Sequence, residues 1–204
     1  MRDSDIAYEK IKKMLITCEL KPGEVIIEPR LTEQINVGRT PVREALKRLS
    51  WEKLICIIPR QCMIVSELSV RDLESICQLR YTLSALVGRL AAARRTGDEL
   101  RELRSIADKT RAETIPEKRI LLGREFHRAV SKITRNEYLE TQMNITLDLC
   151  VRQLFVNREY MGSIDDTVVR EYGDIIRSIE KRDEKETTRL LQGHVMSFKS
   201  KFLE

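Results

Sequence analysis

Between Arg39 and Glu52 the sequence carries two stripes at once. Val42, Ala45, Leu46 and Leu49 recur at i, i+3, i+4 and i+7, the spacing of one face of an α-helix. Arg39, Arg43 and Lys47 stand at i, i+4 and i+8 on a neighbouring face, with Thr40 beside them. The segment is therefore predicted to be a helix that buries one side and offers a cationic one. Taken alone, that pattern fits a solvated basic face or a nucleic-acid-reading face. A guanidinium can pair bidentately with guanine O6 and N7 or clamp a phosphate, and Thr can touch a phosphate or a thymine methyl.

The neighbours of this helix narrow the choice. Residues 6–18 (Ile6, Ala7, Ile11, Met14, Leu15, Cys18) repeat apolar groups every three to four positions, and Lys21-Pro22-Gly23 stops them. A short helix fits Pro29 to Ile35, with Pro29 suited to a first helical position. Asn36-Val37-Gly38 turns the chain into the two-striped helix. Then Ile55-Cys56-Ile57-Ile58 and Cys62-Met63-Ile64-Val65 flank Pro59-Arg60-Gln61, as strands of a small hairpin would. Three helices and a hairpin predict a winged helix-turn-helix over residues 1–66, able to lay a helix in the major groove and a basic wing, tipped by Arg60, on the backbone.

From 67 to 204 the texture changes to successive long helical patterns. They break near Thr96-Gly97, Thr114-Ile115-Pro116, Arg135-Asn136, Met161-Gly162-Ser163 and Lys181-Arg182-Asp183. About six helices with short connections predict an antiparallel bundle. The chain as a whole is thus expected to be mainly α. Its 204 residues include only eight glycines and five prolines, which argues against a loop-rich or all-β fold.

Composition bounds the class of function. No run approaches the roughly 18 consecutive apolar residues that cross a bilayer, and Met1-Arg2-Asp3-Ser4-Asp5 is unlike a signal peptide. Five cysteines without C-x-x-C spacing read as reduced thiols, so a cytoplasmic protein with no membrane partner is expected. The net charge is +5, and residues 1–66 hold twelve Lys/Arg against nine Asp/Glu. That tilt allows nucleic-acid binding without establishing it.

Residues 8–65 resemble the DNA-binding domain of the GntR family of bacterial transcription regulators. The resemblance rests on Leu20-Lys21-Pro22-Gly23-Glu24, on Leu31-Thr32-Glu33-Gln34, and above all on Val37-Gly38-Arg39-Thr40-Pro41-Val42-Arg43-Glu44-Ala45-Leu46-Lys47-Arg48-Leu49. It implies a homodimer on a short palindromic operator in double-stranded DNA, with Arg39 and Arg43 at the base-reading positions. Arg30, Arg60 and Gln61 match other DNA-facing positions, and Thr40, Pro41 and Lys47 complete the expected contact set. Three positions depart from the family pattern. Gly38 replaces a serine in the turn, Lys53 a glycine before the wing, and Cys62 a glycine at the wing tip.

The second region places polar groups on apolar stripes. Arg80 sits in a seam of Leu73, Ile76, Leu83, Val87 and Leu90. His127 lies with Ile120, Val130 and Ile133, Tyr172 with Val168, Ile175 and Ile179, and His194 among Leu191, Val195, Phe198 and Phe202. Each alone fits a satisfied core polar group. Four together also fit one binding cavity, because a buried cation needs an anionic or hydrogen-bonding partner.

This region resembles the all-helical FCD effector domain of one GntR subfamily, through Arg80-Tyr81-Thr82-Leu83, Glu125-Phe126-His127, Asn136-Glu137-Tyr138-Leu139 and His194. Many such domains bind a divalent metal through one aspartate and three histidines. Here the aspartate position is Gly123 and the middle histidine position is Tyr172. Only His127 and His194 remain, too few for a zinc- or nickel-type site, so no cofactor or metal is expected.

The resemblances imply a ligand-responsive transcription regulator, most often a repressor in this family. Its effector is expected to be a small anion, an organic or sugar acid held by Arg80, His127, Tyr172 and His194. Two rivals stand beside it: a DNA-binding dimer whose helical part only dimerises, and a helical-bundle enzyme. Against the enzyme, the sequence has no phosphate-cradling Gly-rich loop and no nucleophile at recognisable spacing from the histidines.

Overall fold

The computed structural model describes residues 2–157 and 165–203, and the expected break at Met161-Gly162-Ser163 lies outside them. The chain divides into two compact units, Met1–Leu68 and Ser69–Glu204.

In the first unit, α1 (Asp3–Ile16) packs on α3 (Arg39–Trp51), with α2 (Glu28–Ile35) against α3. Ala7, Ile11, Leu15, Leu31, Ile35, Val42, Ala45, Leu46 and Leu49 form the core, so the apolar stripe of α3 is buried as its spacing requires. α1 ends two residues short of Cys18, which takes a left-handed φ of 58°. Glu28 rather than Pro29 is the first residue of α2, so Pro29 stands at the second position, where a missing N–H also costs no intrahelical bond. Asn36, with φ 51°, closes α2, and Gly38 starts α3 with no side-chain cap. β1 (Ile55–Ile58) and β2 (Cys62–Val65) pair antiparallel, with Ile55 opposite Val65 and Ile58 opposite Cys62. A third segment, not expected from the sequence, joins their edge: Val25 bridges Ile64, and the Gly23 N–H reaches the Val65 carbonyl at 2.9 Å.

The second unit consists of α4 (Val70–Arg94), α5 (Gly97–Ala112), α6 (Pro116–Ile133), α7 (Glu137–Val156), α8 (Asp166–Glu180) and α9 (Glu184–Leu203). Capping boxes start α4 (Ser69 with Asp72) and α5 (Thr96 with Glu99). The buried stripe of α4 is Leu73, Cys77, Arg80, Ser84, Val87, Gly88 and Ala91, whereas Ile76, Leu83 and Leu90 are only half-buried. The small residues have a packing reason. A Cβ on Gly88 would lie 2.7 Å from the Thr188 backbone, so α9 approaches α4 more closely than a leucine seam would allow.

Candidate functional site

The cationic face of α3, the start of α2 and the hairpin enclose a cleft of about 700 Å³. Arg39, Arg43, Lys47, Arg60 and Gln61 line it together, with Glu28 as the one carboxylate among the described residues there. Among the described residues, Arg39, Lys47 and Arg60 make no ion pair and can meet phosphates. Arg43 is held: its Nε donates to Glu28 Oε2 at 2.6 Å. Thr40 and Pro41 stand on the first turn of α3, outside the cleft lining, and Arg30 borders a separate depression with Glu19 and Gln34.

The hairpin turn runs Ile58-Pro59-Arg60-Gln61, closed by a Gln61 N–H to Ile58 carbonyl bond of 3.1 Å. Proline at its second position and a φ of 61° at Arg60 give it type II character, which favours glycine at Arg60. The left-handed residues of this region are therefore Arg60 and Lys53 (φ 63°), and Cys62 is ordinary strand. Sequence reasoning missed Glu28 and the exposed apolar lining of the cleft, Val25, Ile27 and Ile57. Their nearness to α3 depends on the path of residues 23–27, which no local pattern announces.

Inside the second unit, Arg80 from α4, His127 from α6, Tyr172 from α8 and His194 from α9 line one cavity of about 80 Å³. Arg80 is 6% exposed and donates through Nη1 to the Met143 carbonyl at 3.1 Å and to Thr146 Oγ1 at 3.4 Å. No carboxylate pairs with it among the described residues. Tyr172 stacks on Phe126 (centroids 4.1 Å apart) and meets the His127 ring edge-on. The two imidazoles touch, His127 Nε2 to His194 Nε2 at 3.0 Å, and His194 Nδ1 bonds Glu171 Oε2 at 2.6 Å. Burial, then the charges of His194 and Arg80, push the His127 pKa well below its usual range, so its ring is neutral at pH 7. Burial likewise raises the Tyr172 pKa and keeps the phenol protonated.

Glu171 was not legible as a member of this site. It precedes Tyr172 by one residue, about 100° around the helix, and reaches the cavity only through His194. Arg124 and Lys201 add basic lining, and Arg124 is taken up by buried Asp148 at 2.5 Å. The donors do not suit the metal that the subfamily implies. Gly123 offers no ligand, Tyr172 is a protonated phenol stacked on Phe126, and no group of three ligand-type side chains able to hold a metal occurs among the described residues.

Residues 4–65 match the family model for bacterial regulatory proteins of the gntR family, and residues 75–197 match the FCD domain. Bacillus subtilis YdhC, an uncharacterized HTH-type transcriptional regulator, is 26% identical over 192 residues, spanning 92% of this chain and 85% of that protein. The Escherichia coli HTH-type transcriptional repressor RspR is 25% identical over 195 residues, spanning 92% and 83%. The solved structure of Escherichia coli McbR/YncC superposes with a TM-score of 0.79 over 99% of both chains, at 22% identity. No helix among the described residues is long and apolar enough to cross a membrane. With a cationic winged helix-turn-helix ahead of an FCD domain, this chain belongs to the GntR family of DNA-binding transcriptional regulators.

Proposed function

We propose that this regulator is a cytoplasmic homodimeric repressor whose hold on a palindromic operator changes when a small organic acid binds beside Arg80. The observation that carries this reading is the convergence of four polar side chains from four helices on one cavity, with a buried Arg80 that no carboxylate among the described residues neutralises. Arg80 can clamp a carboxylate, the Tyr172 hydroxyl can donate to it, and the neutral His127 ring can add a further hydrogen bond. The volume of about 80 Å³ holds several water-sized groups and suits an acid of two to four carbons. A sugar acid requires the helices to part. Regulation then follows from linkage: an effector that binds one arrangement of the bundle better shifts the population of DNA-binding dimers.

The reading requires no metal, since Arg80 supplies the positive charge for the acid. Calorimetry with a panel of small carboxylates and sugar acids tests it, on the unmodified protein and on Arg80→Ala. A ligand should bind the former and lose about tenfold or more in the latter, since each charge-assisted bond contributes about 1.5–3 kcal/mol. The same ligand should change operator affinity. If no acid binds, or a folded Arg80→Ala dimer binds it at full strength, the helical unit is a dimerisation scaffold and the reading fails.

A further inference from the structure

The cleft treats its cations unequally. Among the described residues, Arg39, Lys47 and Arg60 reach into it without ion pairs, whereas Arg43 alone of the four is met by a carboxylate, Glu28 Oε2, at 2.6 Å from its Nε. The Arg43 side chain is 65% exposed and that of Glu28 23%, so the less mobile partner holds the more mobile one. A carboxylate is a costly neighbour for DNA, because it repels every phosphate that approaches. Its place in a cleft otherwise lined by cations therefore needs a reason of its own.

We infer that Glu28 is a positioning residue for Arg43, holding the guanidinium by Nε so that both terminal nitrogens point outward to read a base edge. A free arginine samples many rotamers and binds any phosphate. One pinned at Nε has less entropy to lose and keeps the end-on nitrogen pair for guanine O6 and N7. The repulsion then acts selectively. It weakens loose, phosphate-only binding, where Glu28 gains nothing in return, and so widens the gap between operator and other DNA. Lys47 and Arg60, without such a brace, supply backbone contacts that fix register. This inference rests on the assignment of α3 as the reading helix, and it adds a specificity role for a residue of α2.

The test measures the affinity of the full chain for two duplexes at fixed salt. One is selected from a randomised pool by the unmodified protein, and the other is scrambled from it. Glu28→Gln should lower the ratio of the two affinities about tenfold, partly by strengthening binding to the scrambled duplex, with helicity unchanged. In an Arg43→Ala background the same substitution should leave the ratio unaltered, because the residue it positions is gone. An unchanged ratio in Glu28→Gln alone, or an equal fall with and without Arg43, overturns the inference while leaving the reading helix intact. An unchanged ratio in Arg43→Ala alone takes base reading away from Arg43, and this inference with it.

Discussion

His127 and His194 meet ring to ring, Nε2 to Nε2 at 3.0 Å, and Glu171 takes the other ring nitrogen of His194 at 2.6 Å. Each nitrogen used this way is satisfied by a protein neighbour. Two imidazoles so placed resemble half of a metal site, but Gly123 and Tyr172 supply no further ligand. The purified protein is therefore expected to hold far less than one zinc or nickel per chain after dialysis against a mild chelator. Elemental analysis finding one equivalent, lost in His127→Ala, would show that the pair is still a metal site.

Gly88 faces the Thr188 backbone, where a Cβ would come within 2.7 Å of both its N and Cα. Backbone cannot rotate aside as a side chain can, so Gly88→Ala must push α9 away from α4. The expected cost is about 1–3 kcal/mol, read as a lower urea midpoint. Gly193, where an added Cβ meets nothing within 4 Å, is the control, and Gly193→Ala should not destabilise the protein.

How far the sequence announced this structure depends on the range of the interaction. The stripe of α3 fixed its buried face, and the breaks at Thr96-Gly97 and Lys181-Arg182-Asp183 fall at observed helix ends, because capping and periodicity act within a few residues. The α4 seam is legible in part: Leu73 and Val87 are buried as expected, and Ile76, Leu83 and Leu90 only half so. Counting large aliphatics selects Ile76, Leu83 and Leu90, yet the centre of the seam is Cys77, Ser84 and Gly88, small residues chosen by the approach of a helix a hundred residues later. Arg80 was still legible, since an arginine among apolar positions stands out whichever neighbours flank it. Glu28 and Glu171 were not, because their roles exist only through Arg43 and His194.

Tyr8 lies in a buried polar cluster of the first unit. Its hydroxyl donates to Glu52 Oε1 at 2.5 Å and accepts from Lys12 Nζ at 2.8 Å, while the Arg48 guanidinium stacks 4.0 Å over its ring. Burial, with the Glu52 bond behind it, pushes the Tyr8 pKa from 10.0 up to about 12. Above pH 10 the unfolded chain ionises first. The stability Tyr8 contributes is therefore whole below pH 10 and is lost as pH rises through about 12, on the order of 2 kcal/mol. Urea unfolding across that range should show the decline, and Tyr8→Phe should flatten it. An equal decline in Tyr8→Phe would assign the loss to other groups.

Lys53 and Arg60 both hold left-handed backbone, φ 63° and 61°, at about 1 kcal/mol each for a residue with a Cβ. They differ in what the side chain does. Lys53 is exposed and does not line the cleft, whereas Arg60 lines it at the wing tip. Lys53→Gly should raise the unfolding free energy by about 1 kcal/mol and leave DNA affinity nearly unchanged.

Arg60→Gly should gain similar stability, because the type II turn favours glycine at that position. It should also weaken binding to operator and scrambled duplexes alike and lower the slope of log affinity against log salt by roughly one, as the loss of a single phosphate contact does. The two variants thus separate backbone strain from charge at the wing. Thermal unfolding reads the first quantity and a salt titration of binding the second. A lower melting temperature in Arg60→Gly would show that the side chain stabilises the turn. An unchanged salt slope would take the wing tip away from the DNA backbone.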